Sequence, residues 1–132
     1  MDEITIKTSK KKEIIDITDT VNGKIEGSGK ENGLCNIFIL HTTASIATAD
    51  LDPGTDLDML DAFDKIVPKL IYRHPHDPGH VPDHIISTIL GASLAVPFAN
   101  KKLSLGEWQK IVLIEMNGPR KRNIVLSLLE EK

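Results

Sequence analysis

The chain has 132 residues, enough for one domain with a real core; 40% are apolar and only 4% aromatic, so Ile, Leu and Val must build that core. A formal net charge of −3 speaks against a general nucleic-acid binder, which carries a basic excess. The single cysteine, Cys35, excludes an internal disulfide and any multi-cysteine zinc motif, and its apolar setting predicts a buried, inert thiol.

The start, "MDEITIKTSKKKEI", has no apolar signal core. "EITIKT" and "EIIDIT" flank a lysine turn at Lys10, Lys11 and Lys12, and the alternation predicts a β-hairpin. Residues 19–32 are ambiguous: Val21 and Ile25 have helical spacing, but Gly23, Gly27 and Gly29 weaken it. "LCNIFIL" is a strand with Leu34, Asn36, Phe38 and Leu40 on one face and Cys35, Ile37 and Ile39 on the other. "SIATA" is a second, shorter strand.

A helix is predicted from Thr55, with Thr55 and Asp58 as a capping box. Leu57, Leu60, Phe63, Val67 and Leu70 form its stripe until Pro68 breaks it. Another helix is expected from Pro82 or Asp83 to Leu90, stopped by Gly91. "SLAVPF", "EWQKIVLIEM" and "RNIVLSLL" read as strands. The longest apolar stretch, Ile85 to Ala99, is broken by Ser87, Gly91 and Pro97 and falls short of the ~20 residues that span a bilayer. A cytoplasmic protein with neither nucleic-acid nor membrane partners is expected. Roughly seven strands and two or three helices, not alternating as βαβα, predict a single α+β domain over residues 1–132 with mainly antiparallel sheet.

Four of five histidines, His74, His76, His80 and His84, fall within residues 74–84, among three prolines, Asp77 and Asp83. A zinc-enzyme pair at His80 and His84 fails because Pro82 lies between them and Val81 stands where a glutamate is needed. His74 and His76 could chelate from an extended segment, yet catalytic zinc takes three protein ligands. The plainer alternative is a solvated, proline-rich connection, and spacing does not choose between them. His41 closes the strand "NIFIL", and Thr42 and Thr43 follow it. An imidazole, two hydroxyls and two amides at a strand end suit an anion such as phosphate; a histidine bonded to its own loop is the equal alternative. Near the C-terminus, Glu115 precedes "NGPRKR", where Arg120 and Arg122 offer planar forks for phosphate or carboxylate, and Lys121 reads as part of a charged turn.

Together "HTTASI", "YRH", "DHIISTILGAS", "LSLGEWQ" and "E-x-x-GPRKR" resemble the YjbQ-like family, also called secondary thiamine-phosphate synthase enzymes, over nearly the whole chain. The resemblance implies a compact α+β fold of two mainly antiparallel sheets, assembled as a homotrimer. It also implies a weak transferase activity, joining an aminopyrimidine diphosphate to a thiazole phosphate. Matching the motifs assigns His41 and Glu115 as candidate catalytic groups. Thr42, Thr43, Trp108, Gln109 and Arg120 become candidate binders of a small phosphorylated molecule. His41, His74 and His84 become candidate metal ligands, with His76 and His80 as extras. Asp50, Glu107 and Asn117 depart from the pattern: Asp50 stands where many members have Glu, Asn117 where Asp is frequent, and Glu107 where a small residue is usual. A histidine trio favours zinc or a similar transition metal, whereas a diphosphate travels with magnesium on carboxylates. That mismatch keeps two other expectations open: metal-assisted hydrolysis with His41 or Glu115 as base, and a non-catalytic trimer that binds a metal or a phosphorylated ligand.

Overall fold

A computed structural model describes residues 2–132. Its strands are β1 (Asp2–Lys7), β2 (Glu13–Asp16), β3 (Gly33–Ile39), β4 (Ala44–Ala49), β5 (Ser93–Ala99), β6 (Lys102–Leu103), β7 (Lys110–Glu115) and β8 (Lys121–Glu130). Its helices are α1 (Thr18–Ser28), α2 (Thr55–Ile66) and α3 (Val81–Leu90), the last preceded by one 3-10 turn at Pro78–His80. The strands form two antiparallel sheets, ordered β1-β8-β3-β5-β6 and β2-β7-β4. The fold is therefore α+β, as expected.

The sheets face one another across a core of Ile37, Ile39 and Ile124 from one and Ile46, Ile111 and Leu113 from the other, closed by Val21 and Ile25 of α1. The far side of the three-stranded sheet is covered as well: Val112 and Ile114 of β7 meet Leu60 of α2 and Ile86 of α3. Both faces of β7 are thus buried, which is why its sequence is a continuous apolar run instead of an alternation. Cys35 lies in the core between the sheets, and burial pushes its thiol up to about 11. Among the described residues, no helix is long and apolar enough to cross a membrane.

Two local expectations are corrected and one ambiguity is resolved. The first two strands do not form a hairpin: β1 pairs with β8 and β2 with β7, so the lysine turn carries the chain from one sheet to the other. Lys12 leaves that turn to pair with Asp64 of α2. Residues 18–28 are helical despite Gly23 and Gly27, because Val21 and Ile25 are wholly buried; Gly29 supplies the left-handed C-cap at φ 74°. The capping box is absent: Gly54 is the N-cap of α2, without a side-chain cap bond. The helix ends at Ile66 before Pro68, as the sequence implies.

One buried ion pair joins the sheets. Arg122 of β8 points inward with Ile124 and Leu126, and Glu115 points inward with Ile111 and Leu113; they are 1% and 0% exposed. Arg122 Nε donates to Glu115 Oε1 at 2.9 Å, and Nη2 of the same guanidinium donates to Oε2. Thr8 Oγ1 (2.7 Å) and the Asn117 N–H (3.1 Å) also donate to the carboxylate. Burial alone would push the Glu115 carboxyl up, but these hydrogen bonds together outweigh it and hold it below the ordinary carboxylate range. A buried charge left without its partner costs about 3–5 kcal/mol.

Arg122→Met should therefore lower the unfolding free energy by about 3–5 kcal/mol in urea titrations. The Arg122→Met/Glu115→Leu double variant should recover much of that loss; a single-variant loss under about 1 kcal/mol would refute the strong pairing. A depressed carboxyl stabilises the fold fully above its unfolded value of about 4.3, and that contribution is lost as pH falls through the lower folded value. The acid limb of the wild-type stability curve should accordingly flatten in the double variant.

Candidate functional site

Residues 40–43 carry the chain from β3 in one sheet to β4 in the other. Two elements fix this crossing: β8 holds Leu40, His41 and Thr43, and α3 holds Thr42. The Leu40 N–H donates to the Asn123 carbonyl at 3.0 Å, and the Asn123 N–H donates back to His41 Nε2 at 2.8 Å. The Thr42 carbonyl lies 3.2 Å from Nδ1 of His84 on α3. Thr43 is buried, and its hydroxyl and carbonyl accept from Arg122 Nη2 at 2.8 and 3.2 Å. The inter-sheet ion pair therefore also holds the crossing.

Between this crossing and α3 lies a pocket of about 430 Å³, lined by His41, Thr42, His84, Ser87, Thr88 and the backbone around Gly91. His84, Ser87 and Thr88 share one helical face because they are three and four residues apart. Ser87 is 6% exposed and its Oγ has no hydrogen-bond partner. Gly91 ends α3, and its carbonyl accepts from Ile46 at 3.2 Å, anchoring the helix to β4.

Hydrogen bonding sets the protons on the rings. His41 accepts through Nε2, so its neutral ring carries the proton on Nδ1. Burial, followed by the nearby Arg122 and Arg120 charges, lowers its pKa against the opposing pull of Glu115, which keeps it neutral. His84 donates from Nδ1 to the Thr42 carbonyl, which leaves the Nε2 lone pair free. His74 stacks on His84 at 5.5 Å and 10° and accepts through Nδ1 from the Asp77 and His76 amides at 3.1 and 3.3 Å. Its proton is therefore on Nε2.

These donors do not fit the expected zinc trio. His41 and His74 each have one nitrogen engaged by backbone N–H and the other protonated, so only His84 offers a lone pair. Among the described residues, no three His, Cys, Asp or Glu side chains are grouped to hold one ion. Other expected site residues also serve elsewhere. Glu115 is sealed in the ion pair with no route to the pocket, and Thr43 is a buried acceptor for Arg122. Arg120 donates from Nε to the Asn117 carbonyl at 2.8 Å and does not line the pocket. Trp108 and Gln109 lie beyond Lys110, which pairs with Ala49, whereas Glu115 pairs with Ala44. Five strand residues, ~17 Å, separate them from the histidine end.

Of the two remaining histidines, His80 bonds Asp77 at 2.8 Å and approaches Asn117 at 3.4 Å, bracing the turn before α3. His76 contributes its backbone amide. Ser87 and Thr88 were the wall residues that motif matching missed; the spacing His84-x-x-Ser87-Thr88 on a helix was their available signal.

Comparison with known proteins agrees with the fold. The family model described as "UPF0047 protein YjbQ-like" matches residues 2–131. A UPF0047 protein of Archaeoglobus fulgidus is 37% identical over 96% of this chain and 99% of its own. YugU of Bacillus subtilis, also a UPF0047 protein, is 36% identical over 96% of each. Among solved structures, a protein of unknown function from Sulfolobus solfataricus superposes with a TM-score of 0.91 at 36% identity, covering 98% of this chain and 96% of that one.

At neutral pH, long-range 1H–15N NMR spectra should show Nδ1–H tautomers for His41 and His84 and an Nε2–H tautomer for His74. His41 should titrate below the ordinary imidazole value of about 6.5. An Nε2–H tautomer at His41 would overturn this reading of the pocket.

Proposed function

The chain belongs to the YjbQ-like UPF0047 family, and from that starting point we propose that it is a small-molecule enzyme acting on a phosphorylated ligand in the His41–His84 pocket. The observation that carries this reading is the pairing of a free His84 Nε2 with a ring of donors: His41 Nδ1–H and the hydroxyls of Thr42 and Ser87. The donors suit phosphate oxygens, and the unpartnered Ser87 hydroxyl gains a hydrogen bond when such a ligand enters. His84 Nε2 then serves as general base on the ligand, its ring aimed by the Thr42 carbonyl and the His74 stack. Neutral His41 donates through Nδ1 to oxygen charge that develops in the transition state.

Thiamine-phosphate synthesis is one specific form of this chemistry. It requires cations on the departing diphosphate, and the pocket wall carries no Lys or Arg; Arg120 would have to swing inward or arrive from a second subunit. Metal-assisted hydrolysis has weaker support, because two of its three intended ligands lack a free lone pair. Non-catalytic binding of a phosphorylated ligand shares every contact except the role of His84.

Assembly as a homotrimer belongs to the same proposal. The outer face of the five-stranded sheet exposes Leu34 and Phe38 of β3 and Leu129 of β8, with Leu40 just beyond β3. Leu129 sits opposite Leu34 in the sheet. Apolar surface continuous across neighbouring strands marks an interaction face.

Titration with inorganic phosphate should shift the Thr42, Ser87 and Gly91 amides, and Ser87→Ala should weaken binding about tenfold, the value of one hydrogen bond to a charged group. Where Arg120 completes the pocket, complementation of a strain lacking its own thiamine-phosphate synthase should succeed with wild type and fail with both His84→Ala and Arg120→Ala. Growth with His84→Ala would remove the general-base role, and absent phosphate shifts would remove the site. In light scattering, the protein should have three times its 14.6 kDa chain mass, and Phe38→Glu should shift it toward monomer; a monomeric wild type would end the assembly proposal.

A further inference from the structure

A second cavity lies on the other side of α3. It occupies about 590 Å³ between α2 and the first turn of α3, within the range of small-molecule sites. Phe63, Val67, Pro82, Ile86 and Met116 form the apolar part of its wall. Lys11, Lys12, Lys65 and Lys69 line it too. Lys12 is engaged by Asp64, while among the described residues Lys11, Lys65 and Lys69 form no ion pair. Asp61 is the remaining charged wall residue beside Asp64 and Asp83.

Asp83 is the unexplained group. An aspartate in the first turn of a helix normally sits in water, where it complements the helix dipole. Here it is 4% exposed, lines the cavity, and its Oδ2 has no hydrogen-bond partner. Burial raises its pKa against the opposing pull of Lys12, Lys11, His80 and His84, and among the described residues no side chain forms a salt bridge to it. A buried carboxyl without a partner destabilises the fold. Such a group is complete only when something entering the cavity donates to it.

We propose that this cavity is a second small-molecule site, separate from the His41–His84 pocket. Its ligand is a flat ring bearing an amino group for Asp83 and a phosphate for Lys11, Lys65 and Lys69. The apolar walls suit the ring face, the buried carboxyl takes the amine, and the unpaired lysines take the phosphate. A metal ion does not fit, since four ammonium groups share the cavity with the three carboxylates.

The test uses pyridoxamine 5′-phosphate as a probe that combines ring, amine and phosphate, with pyridoxine 5′-phosphate as the analogue lacking the amine. Titrated into the 15N-labelled full chain, the amine-bearing probe should give saturable amide shifts at Gly79, Asp83, Ile86 and Met116, leaving Thr42 and Gly91 in place. The analogue should bind at least tenfold more weakly, and Asp83→Ala should abolish that difference. Lys69→Gln should weaken both probes alike. Asp83→Ala should also melt at a higher temperature than wild type, an outcome that a structural role for the carboxyl would reverse. Absence of saturable shifts at millimolar probe, shifts confined to Thr42 and Gly91, or equal affinity for the two probes in wild type would each overturn the proposal. The last comparison needs no variant, so it stands even if Asp83→Ala does not fold.

Discussion

The contact between Arg122 and Glu115 organises this molecule. It is the point where β8 of one sheet is tied to β7 of the other, inside a core otherwise built from Ile, Leu and Val. Two opposite charges there are tolerable because nearly every donor and acceptor is matched: Thr8, Asn117 and Thr43 satisfy what the pair leaves over. The same guanidinium reaches the crossing between β3 and β4, so the geometry of the pocket follows from the geometry of the core.

That dependence explains how unremarkable residues become a site. His41 has its lone pair engaged by the Asn123 amide, and His84 has its N–H engaged by the Thr42 carbonyl. Two similar rings are thereby given opposite tasks, one donating and one accepting, without any carboxylate on the wall. The backbone performs the orientation that carboxylates perform in many acid–base sites.

Much of this was legible in the sequence where local pattern and tertiary role agree. β7 is an unbroken apolar run, α2 and α3 carry clean helical stripes, and each lies near its expected bounds. α1 was hidden by Gly23 and Gly27, because burial of Val21 and Ile25 overrides their weak propensity. The hairpin expectation failed because the partner of β1 lies more than a hundred residues away, and alternation reveals a strand but not its neighbour. At the site, motif matching found His41, Thr42 and His84 but also gathered Glu115 and Trp108, which belong to the core and to the far end of β7. Parity could have placed Arg122, which alternates in phase with Ile124 and Leu126 between the polar Lys121 and Asn123; in β7 both parities are apolar, so the sequence marks Glu115 as buried without choosing its face.

The double burial of β7 has a bearing on how this fold can drift. A slip or one-residue deletion turns every later side chain of a strand to its other face, so register is tightly held wherever a face is buried. In β7 such a change would send Val112 and Ile114 into the space shaped for Ile111 and Leu113, and would turn Glu115 toward the helices, away from Arg122. Length variation among descendants of this chain should therefore collect in the connection between α2 and α3, residues 67–77, where no ladder registers the count.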